Sequence, residues 1–298
     1  MLINLLKTMR PRQWTKNLMI YLAFVFTLRQ YWTPFSPEMY VMFATATAAF
    51  VLFCLLSGTI YLINDLADVE KDRAHPKKRF RPLASGALSK VQAQAAIFVL
   101  LAVTLPLSFA LDFWFGIVAT IYFVMNLAYS FALKNVVIVD VFVLAAGLVL
   151  RAIAGAAAIH VPASAWLYVC TMLLALFIGF SKRRHELVLL EDDASKHRLI
   201  LKEYTPEVLD QMISVTTASF VMAYSLYTFS AENLPKNHAM MLTIPFALYV
   251  VFRLLYLVHV KNEGGSPEEM ILRDKPLFGS IIAWGVTSAA ILLVFGRT

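Results

Sequence analysis

Long apolar runs constrain the fold of this chain more than any other feature of the sequence. Nine such runs, each of about 20 residues, recur along the 298 residues and are separated by polar segments. A run of this kind can cross the hydrocarbon core of a bilayer as a helix, because a helix pairs its backbone polar groups internally. We predict spans at 17–33, 40–62, 91–111, 113–131, 137–158, 164–181, 209–230, 239–260 and 278–295.

Composition supports the same class of protein. The chain is 60% hydrophobic and 15% charged, whereas soluble domains are about 45–50% apolar and about 25% charged. Cys54 and Cys170 both lie within apolar runs, which excludes a disulfide-rich or cysteine-metal domain. We therefore predict an all-α integral membrane protein with one domain over 1–298. Within it, residues 1–16 form an interfacial segment that contains a short helix at 2–9.

The positive charges predict the orientation of the spans. If the nine spans alternate in direction, most of the 26 lysines and arginines fall on one side, in the N-terminus and in the segments 64–90, 182–208 and 261–277. Cytoplasmic loops of membrane proteins carry such an excess. We predict a multi-pass protein of the inner (plasma) membrane with the N-terminus and the large loops in the cytoplasm.

An acidic motif follows the second span. Asn64, Asp65, Asp68 and Asp72 form the pattern NDxxDxxxD, and a continuing helix would place the three aspartates on one face. Carboxylate and amide oxygens suit Mg²⁺, which shares its coordination shell with substrate phosphates. The alternative is a solvated helix end that binds no metal.

A basic stretch comes next, over 77–81. Its cations could anchor the loop on anionic lipid, or some could hold phosphate oxygens, which arginine does with two donors. Arg81, between Phe80 and Pro82, is the better candidate for phosphate.

The acidic motif and the basic stretch from His75 to Gly86 resemble the UbiA superfamily of intramembrane prenyltransferases. This resemblance implies a bundle of nine transmembrane helices with cytoplasmic active-site loops and Mg²⁺ as cofactor. The chain departs from the general pattern after the sixth span, where Ser181–Leu187 is basic and most members carry a second acidic motif.

This basic segment, together with several other motifs, resembles the polyprenyl-phosphate phosphoribosyltransferase branch of the superfamily. The segments that carry this resemblance are Arg10–Asn17, Tyr129–Lys134, Asp140 with Arg151–Gly155, Ser181–Leu187 and Arg273–Leu277. It implies two substrates, phosphoribosyl diphosphate and a polyprenyl phosphate of the decaprenyl type. The products would be diphosphate and polyprenyl phosphoribose, a sugar donor for the cell envelope. The partners expected are these substrates and the membrane, with no nucleic acid, and the family allows a homotrimer.

The candidate site residues follow from these motifs. Catalytic roles are predicted for Asp65, Asp68, Asp72 and Lys134, and metal ligation for Asn64, Asp65, Asp68 and Asp72. Substrate binding is predicted for Lys16, Asn17, Asn64, Arg81, Tyr129, Asp140, Lys182, Arg183, Arg184 and Glu186.

Plainer interpretations stay open for several of these residues. Lys16 could only extend to the interface, Tyr129 could be an interfacial aromatic residue, and Asp140 could pair with Lys134. Arg151, deeper in its span, is interpreted as structural. A zinc motif at His185 is excluded, because the second histidine that it needs is absent.

Three other functions compete with phosphoribosyl transfer. The first is a UbiA-type enzyme that moves a prenyl group from prenyl diphosphate to an aromatic or glycerol-phosphate acceptor. The second is a transporter, although its charges would be expected near mid-bilayer and in inverted repeats. The third is a lipid-binding scaffold without catalysis.

Overall fold

The computed structural model describes residues 1–76, 78–162, 164–190, 199–231, 234–265, 270–271 and 273–295. Within these ranges the chain is helical, and the only β pairing is an isolated bridge between Leu28 and Trp32. The α-helices are α1 (Leu2–Met9), α2 (Tyr21–Phe26), α3 (Pro37–Ala67), α4 (Val69–Ala74), α5 (Lys90–Leu111), α6 (Phe113–Phe131), α7 (Val139–Ala158), α8 (Ala165–Leu190), α9 (Pro206–Ser230), α10 (Ile244–His259) and α11 (Lys275–Phe295). Short 3₁₀ helices cover Pro11–Ile20, Lys78–Phe80, Leu133–Asn135, Leu199–Glu203 and Ala239–Thr243.

The predicted all-α membrane architecture is confirmed, but the count of nine spans is not. In the described ranges, eight helices are long and apolar enough to cross a membrane. The predicted run 17–33 instead begins in a 3₁₀ helix, continues as the six-residue α2 and ends in turns. Arg29 and Phe35 have positive φ there, and Pro34 disfavours helical backbone at the residue before it. The helix predicted at 2–9 is present as α1.

Backbone contacts divide the chain into two compact units. The first unit contains Met1–Phe26, Pro37–Phe131 and Leu150–Pro162, and the second contains Thr27–Ser36, Ala132–Val149 and Ala163–Thr298. The prediction of a single domain stays a prediction.

The first unit packs around α3. The ring of Phe53 packs in tilted geometry against those of Phe115 and Tyr122, with centroid separations of 5.6 and 5.1 Å, within the apolar core of this unit. Close backbone approach fixes the N-terminal 3₁₀ helix, because a Cβ added at Gly155 would lie 2.0 Å from the carbonyl oxygen of Ile20. The segment that carries the predicted residues Lys16 and Asn17 is therefore held against the end of α7.

The second unit has its own apolar core. Val141, Phe177, Ile213 and Leu254 are among its buried residues, and α8 packs along α9. The loop that contains Gly265 packs closely on the C-terminal part of α8, since a Cβ added at Gly265 would lie 2.6 Å from the imidazole ring of His185.

Candidate active site

The acidic motif lies at the junction of α3 and α4. Helix α3 ends at Ala67, and Asp68 leaves helical geometry slightly, with φ −95° and ψ 8°. The hydrogen-bond ladder nevertheless continues, because the Asp68 amide donates to Asn64 O at 3.0 Å and the Asp72 amide donates to Asp68 O at 2.8 Å. Asp65 and Asp72, seven residues apart, both turn inward and are 3% exposed, whereas Asp68 is half-buried.

Two arginines join these buried carboxylates. Arg81 Nη1 donates to Asp72 Oδ2 at 2.7 Å and to Asp65 Oδ1 at 3.2 Å, so one guanidinium bridges both aspartates. Arg10 Nη2 donates to the same Asp65 oxygen at 2.6 Å. The structure thus brings together three predicted site residues, Asp65, Asp72 and Arg81.

Arg10 is a site residue that sequence reasoning missed. It has left-handed backbone geometry, with φ 53° and ψ 67°, at the turn between α1 and the following 3₁₀ helix. Its guanidinium also lies over the ring of Tyr61 at 4.8 Å. In the sequence, Arg10 is one cation among several before the first apolar run, and nothing there indicates a partner 55 residues away.

The donor atoms at this junction fit a hard divalent cation. Besides the three carboxylates, Asn64 Oδ1 is buried and has no hydrogen-bond partner among the described residues. Amide and carboxylate oxygens are the ligands that Mg²⁺ takes from proteins. Within the described part of the chain, however, no three acidic, histidine or cysteine side chains converge on one point; guanidinium groups lie between the aspartates instead.

A second polar network of the first unit is buried among apolar helices. Asn17 is fully buried and donates through Nδ2 to Cys54 Sγ at 3.2 Å and to Ser57 Oγ at 3.3 Å. Arg151 Nε donates to Asn17 Oδ1 at 2.7 Å, and Arg151 Nη2 donates to Tyr122 OH at 2.6 Å. Asn17, predicted to bind substrate, therefore has its whole amide engaged with protein groups.

The second unit holds another charged network around Arg183. This arginine is 1% exposed, and it donates to Asp140 Oδ2 at 2.6 Å and to Glu186 Oε2 at 2.7 Å. Tyr204 OH donates to Asp140 Oδ1 at 3.1 Å and accepts the Ile138 amide at 2.6 Å. Burial raises the pKa of Tyr204 to about 12, so the hydroxyl stays protonated at neutral pH.

These contacts assign partners to three predicted residues, Asp140, Arg183 and Glu186. The alternative pair of Asp140 with Lys134 is replaced by Arg183, which enters the same buried position from α8. Arg184 points elsewhere and pairs with Asp210 of α9.

The remaining predicted residues lie in both units. Lys16 and Tyr129 belong to the first, Lys134 and Lys182 belong to the second, and all four are half-buried. A partly covered cation keeps access to solvent while its stem packs on apolar surface, which suits either an interfacial anchor or a phosphate ligand.

Known proteins resemble this chain over nearly its whole length. The sequence model of the UbiA prenyltransferase family matches residues 17–271. Decaprenyl-phosphate phosphoribosyltransferase of Mycolicibacterium smegmatis is 34% identical over 296 residues, which cover 97% of this chain and 92% of the relative. The protein of that name from Corynebacterium glutamicum is 32% identical over 289 residues, which cover 94% and 84%.

A solved structure shares the fold. A UbiA homolog from Archaeoglobus fulgidus, in complex with GPP and Mg²⁺, superposes with a TM-score of 0.72 at 18% identity. The match covers 98% of this chain and 100% of that one.

Proposed function

The chain belongs to the UbiA prenyltransferase family, and from this premise we propose that it transfers phosphoribose from 5-phosphoribosyl 1-diphosphate to a polyprenyl phosphate. The observation that carries the proposal is the nearly full-length match to two decaprenyl-phosphate phosphoribosyltransferases. The basic segment Ser181–Leu187 supports it, because a donor with a phosphate at each end of the ribose needs more cations than a prenyl diphosphate does.

The reaction needs little acid–base chemistry from the protein. An oxygen of the lipid phosphate forms a bond to ribose C1, and the bond from C1 to the diphosphate breaks. The attacking phosphate is already ionised at neutral pH, so no strong general base is required. The chain must hold the two anionic reactants in line and stabilise the charge that develops on the leaving diphosphate.

We propose that Asn64, Asp65, Asp68 and Asp72 hold Mg²⁺ together with the diphosphate. Bound there, the ion would supply charge neutralisation of the leaving group. The buried, unpaired Asn64 Oδ1 and the inward-facing Asp65 and Asp72 support this assignment. Arg81, already at hydrogen-bond distance from both aspartates, is placed to donate to the same diphosphate.

The other cations are proposed to bind the ribose 5-phosphate and the lipid phosphate. Lys16, Lys134 and Lys182 suit this role because they are half-buried. Arg183 and Arg184 are engaged with carboxylates, so they would bind phosphate only if those ion pairs opened. We propose that Arg183, which is 1% exposed, positions Asp140 and Glu186, and that Lys182 beside it, which is more accessible, binds phosphate.

Glu186 and Tyr129 are proposed as contacts to the sugar and the lipid headgroup, and Asp140 is proposed as the buried group that supports Glu186 through Arg183. Tyr204, which follows the 3₁₀ helix Leu199–Glu203, donates a hydrogen bond to Asp140. Asp140 is fully buried, with one oxygen fixed by Arg183 and the other by Tyr204, so we propose that it orients Arg183 and, through Arg183, the more exposed Glu186.

The test is direct transfer by the purified protein in detergent or nanodiscs. The protein is incubated with labelled 5-phosphoribosyl 1-diphosphate, Mg²⁺ and polyprenyl phosphates of several lengths, and the lipid fraction is assayed for label. We expect lipid-linked phosphoribose in the wild type and a loss of about 100-fold or more in Asp68→Asn.

A parallel arm replaces the donor by prenyl diphosphate with aromatic or glycerol-phosphate acceptors. Turnover in that arm, with no lipid-linked ribose in the first, would contradict the proposed donor and support the prenyltransferase alternative.

A further inference from the structure

The guanidinium of Arg81 occupies the place between Asp65 and Asp72. It lies 2.7 Å from Asp72 Oδ2 and 3.2 Å from Asp65 Oδ1, and Arg10 lies 2.6 Å from that same Asp65 oxygen. Two positive charges thus balance two buried negative ones. A buried carboxylate pair without such partners would be costly, because each charge loses its hydration.

A divalent cation and these arginines need the same oxygens. Metal ligation to Asp65 and Asp72 must remove or weaken hydrogen bonds that Arg81 now makes, and it must place a charge of +2 near a guanidinium of like sign. Arg81 is 30% exposed at its side chain, whereas the aspartates are 3% and 5% exposed. The arginine, rather than the carboxylates, therefore has room to move.

Displaced guanidinium groups need a new anionic partner. A diphosphate that enters with the metal provides one, since its oxygens accept two parallel hydrogen bonds from arginine. Metal alone would leave Arg81 without this compensation, and diphosphate alone would meet the negative aspartates.

We propose, on the premise of the function above, that Arg81, assisted by Arg10, is the resident counter-ion of the aspartate motif and couples metal binding to diphosphate binding. In the absence of diphosphate, Arg81 competes with the metal for Asp65 and Asp72. When diphosphate is present, Arg81 transfers its hydrogen bonds to phosphate oxygens and the competition ends. The two ligands therefore bind with positive cooperativity.

The experiment measures metal binding without turnover. The free-ion electron paramagnetic resonance signal of Mn²⁺ gives its affinity for the purified full chain, with and without inorganic pyrophosphate. In the wild type, we expect pyrophosphate to tighten Mn²⁺ binding by about tenfold. In Arg81→Gln, we expect Mn²⁺ alone to bind about tenfold more tightly than in the wild type, with little further gain from pyrophosphate.

Three variants control this result. Arg79→Gln removes a neighbouring positive charge, but Arg79 stacks on Phe80 and is exposed, so wild-type binding is expected. Arg81→Lys keeps the charge and should bind Mn²⁺ alone less tightly than Arg81→Gln. Arg10→Gln, which removes one of the two arginine contacts to Asp65 and leaves that of Arg81, should show a smaller gain and provides the test if Arg81→Gln does not fold.

Mn²⁺ affinity in Arg81→Gln that is equal to or weaker than that of the wild type would overturn the inference. So would an equal gain in Arg79→Gln. Pyrophosphate is released from any diphosphate donor, so this readout does not depend on phosphoribose. If Mn²⁺ and pyrophosphate bind cooperatively but no phosphoribose is transferred, the proposed donor is wrong and the role of Arg81 stands. If phosphoribose is transferred but binding is not cooperative, only the counter-ion role of Arg81 is wrong.

Discussion

At the scale of single residues, burial separates two kinds of cation that look alike in the sequence. Lys182, Arg183 and Arg184 are consecutive, yet Arg183 is buried between two carboxylates and Arg184 pairs with Asp210. Removing one partner from a buried ion pair leaves an uncompensated charge, which is far more costly than losing an exposed one. The consecutive cations therefore differ in what their loss would do.

Arg183→Gln should mainly destabilise the protein, whereas Lys182→Gln should mainly impair substrate binding. We expect Arg183→Gln to lower the free energy of unfolding by about 3–5 kcal/mol, because the fully buried Asp140 loses the cation that pairs with it. Lys182→Gln, at a half-buried cation, should cost less stability than Arg183→Gln and should raise the KM for 5-phosphoribosyl 1-diphosphate. Thermal unfolding of the purified variants and steady-state kinetics give the two readouts.

The result would contradict this division of roles if the two variants lost the same stability. It would also do so if Lys182→Gln raised the KM for polyprenyl phosphate and not that for the sugar donor.

At the scale of helices, a close contact between backbones fixes the N-terminal segment. Gly155 of α7 faces Ile20, and a Cβ there would lie 2.0 Å from Ile20 O and 2.7 Å from its carbonyl carbon. These are backbone atoms, so they cannot rotate away as a side chain can. The contact holds the 3₁₀ helix Pro11–Ile20 beside α7, next to the bond between Asn17 and Arg151.

Gly155→Ala should therefore separate these two segments. We expect a loss of about 1–3 kcal/mol in the free energy of unfolding, as for overpacked cores, together with reduced activity. Gly285→Ala is the matched control, because no atom of the described residues lies within 4 Å of a Cβ added there on α11. Alanine in a helix should leave stability unchanged or raise it by up to ~1 kcal/mol. Equal unfolding temperatures for both variants would show that the contact is dispensable.

Helix α11 begins at a charged cap. Asp274 accepts the Leu277 amide at 2.9 Å and two hydrogen bonds from Arg253 at 3.1 and 2.8 Å. The hydrogen bonds from Arg253, followed by that from the Leu277 amide, hold the pKa of Asp274 below its usual range. A lowered folded-state pKa contributes stability above the unfolded-state pKa, and this contribution is lost as the pH falls through the folded-state value.

Asp274→Asn should thus lower the unfolding temperature at neutral pH but not in acid. Asparagine keeps the oxygen that accepts the Leu277 amide, so the difference from the wild type reports the charge. We expect that difference to shrink as the pH is lowered below about 4. A difference that stays constant between neutral and acidic pH would show that it does not come from the charge of Asp274.

Comparison of the predicted spans with the observed helices shows which parts of the fold the sequence can predict. Eight apolar runs predicted eight long helices, because run length and hydrophobicity alone decide whether a segment can span a bilayer. The first run does not form one long helix. Its end is interrupted by the positive φ of Arg29, and Pro34 and the positive φ of Phe35 follow directly, and run length and hydrophobicity do not report such backbone turns. Partners such as Arg10 for Asp65 could not be predicted either, since tertiary packing brings them together across long separations.

At the scale of the whole molecule, the distribution of cations along the chain predicts how the chain is oriented in the membrane. The predicted cytoplasmic side holds the aspartate junction and the segment Ser181–Leu187, whereas the opposite side has short connections with few cations. Phosphoribosyl diphosphate is soluble and strongly anionic, so the proposed function requires these segments to face the compartment that supplies it. The positive-inside rule predicts that this compartment is the cytoplasm.

Cysteine labelling tests this orientation. In a background in which Cys54 and Cys170 are replaced by alanine, Ser85→Cys and Asn237→Cys each introduce one exposed thiol on opposite predicted sides. A membrane-impermeant maleimide should label Asn237→Cys in intact cells, and it should label Ser85→Cys only after the membrane is permeabilised. The reverse pattern would place the aspartate motif outside the cytoplasm, away from a phosphorylated sugar donor. Labelling of both in intact cells would mean that the chain crosses the membrane an even number of times between Ser85 and Asn237, whereas the predicted number is odd. The predicted spans and the side from which the donor enters would then have to be revised.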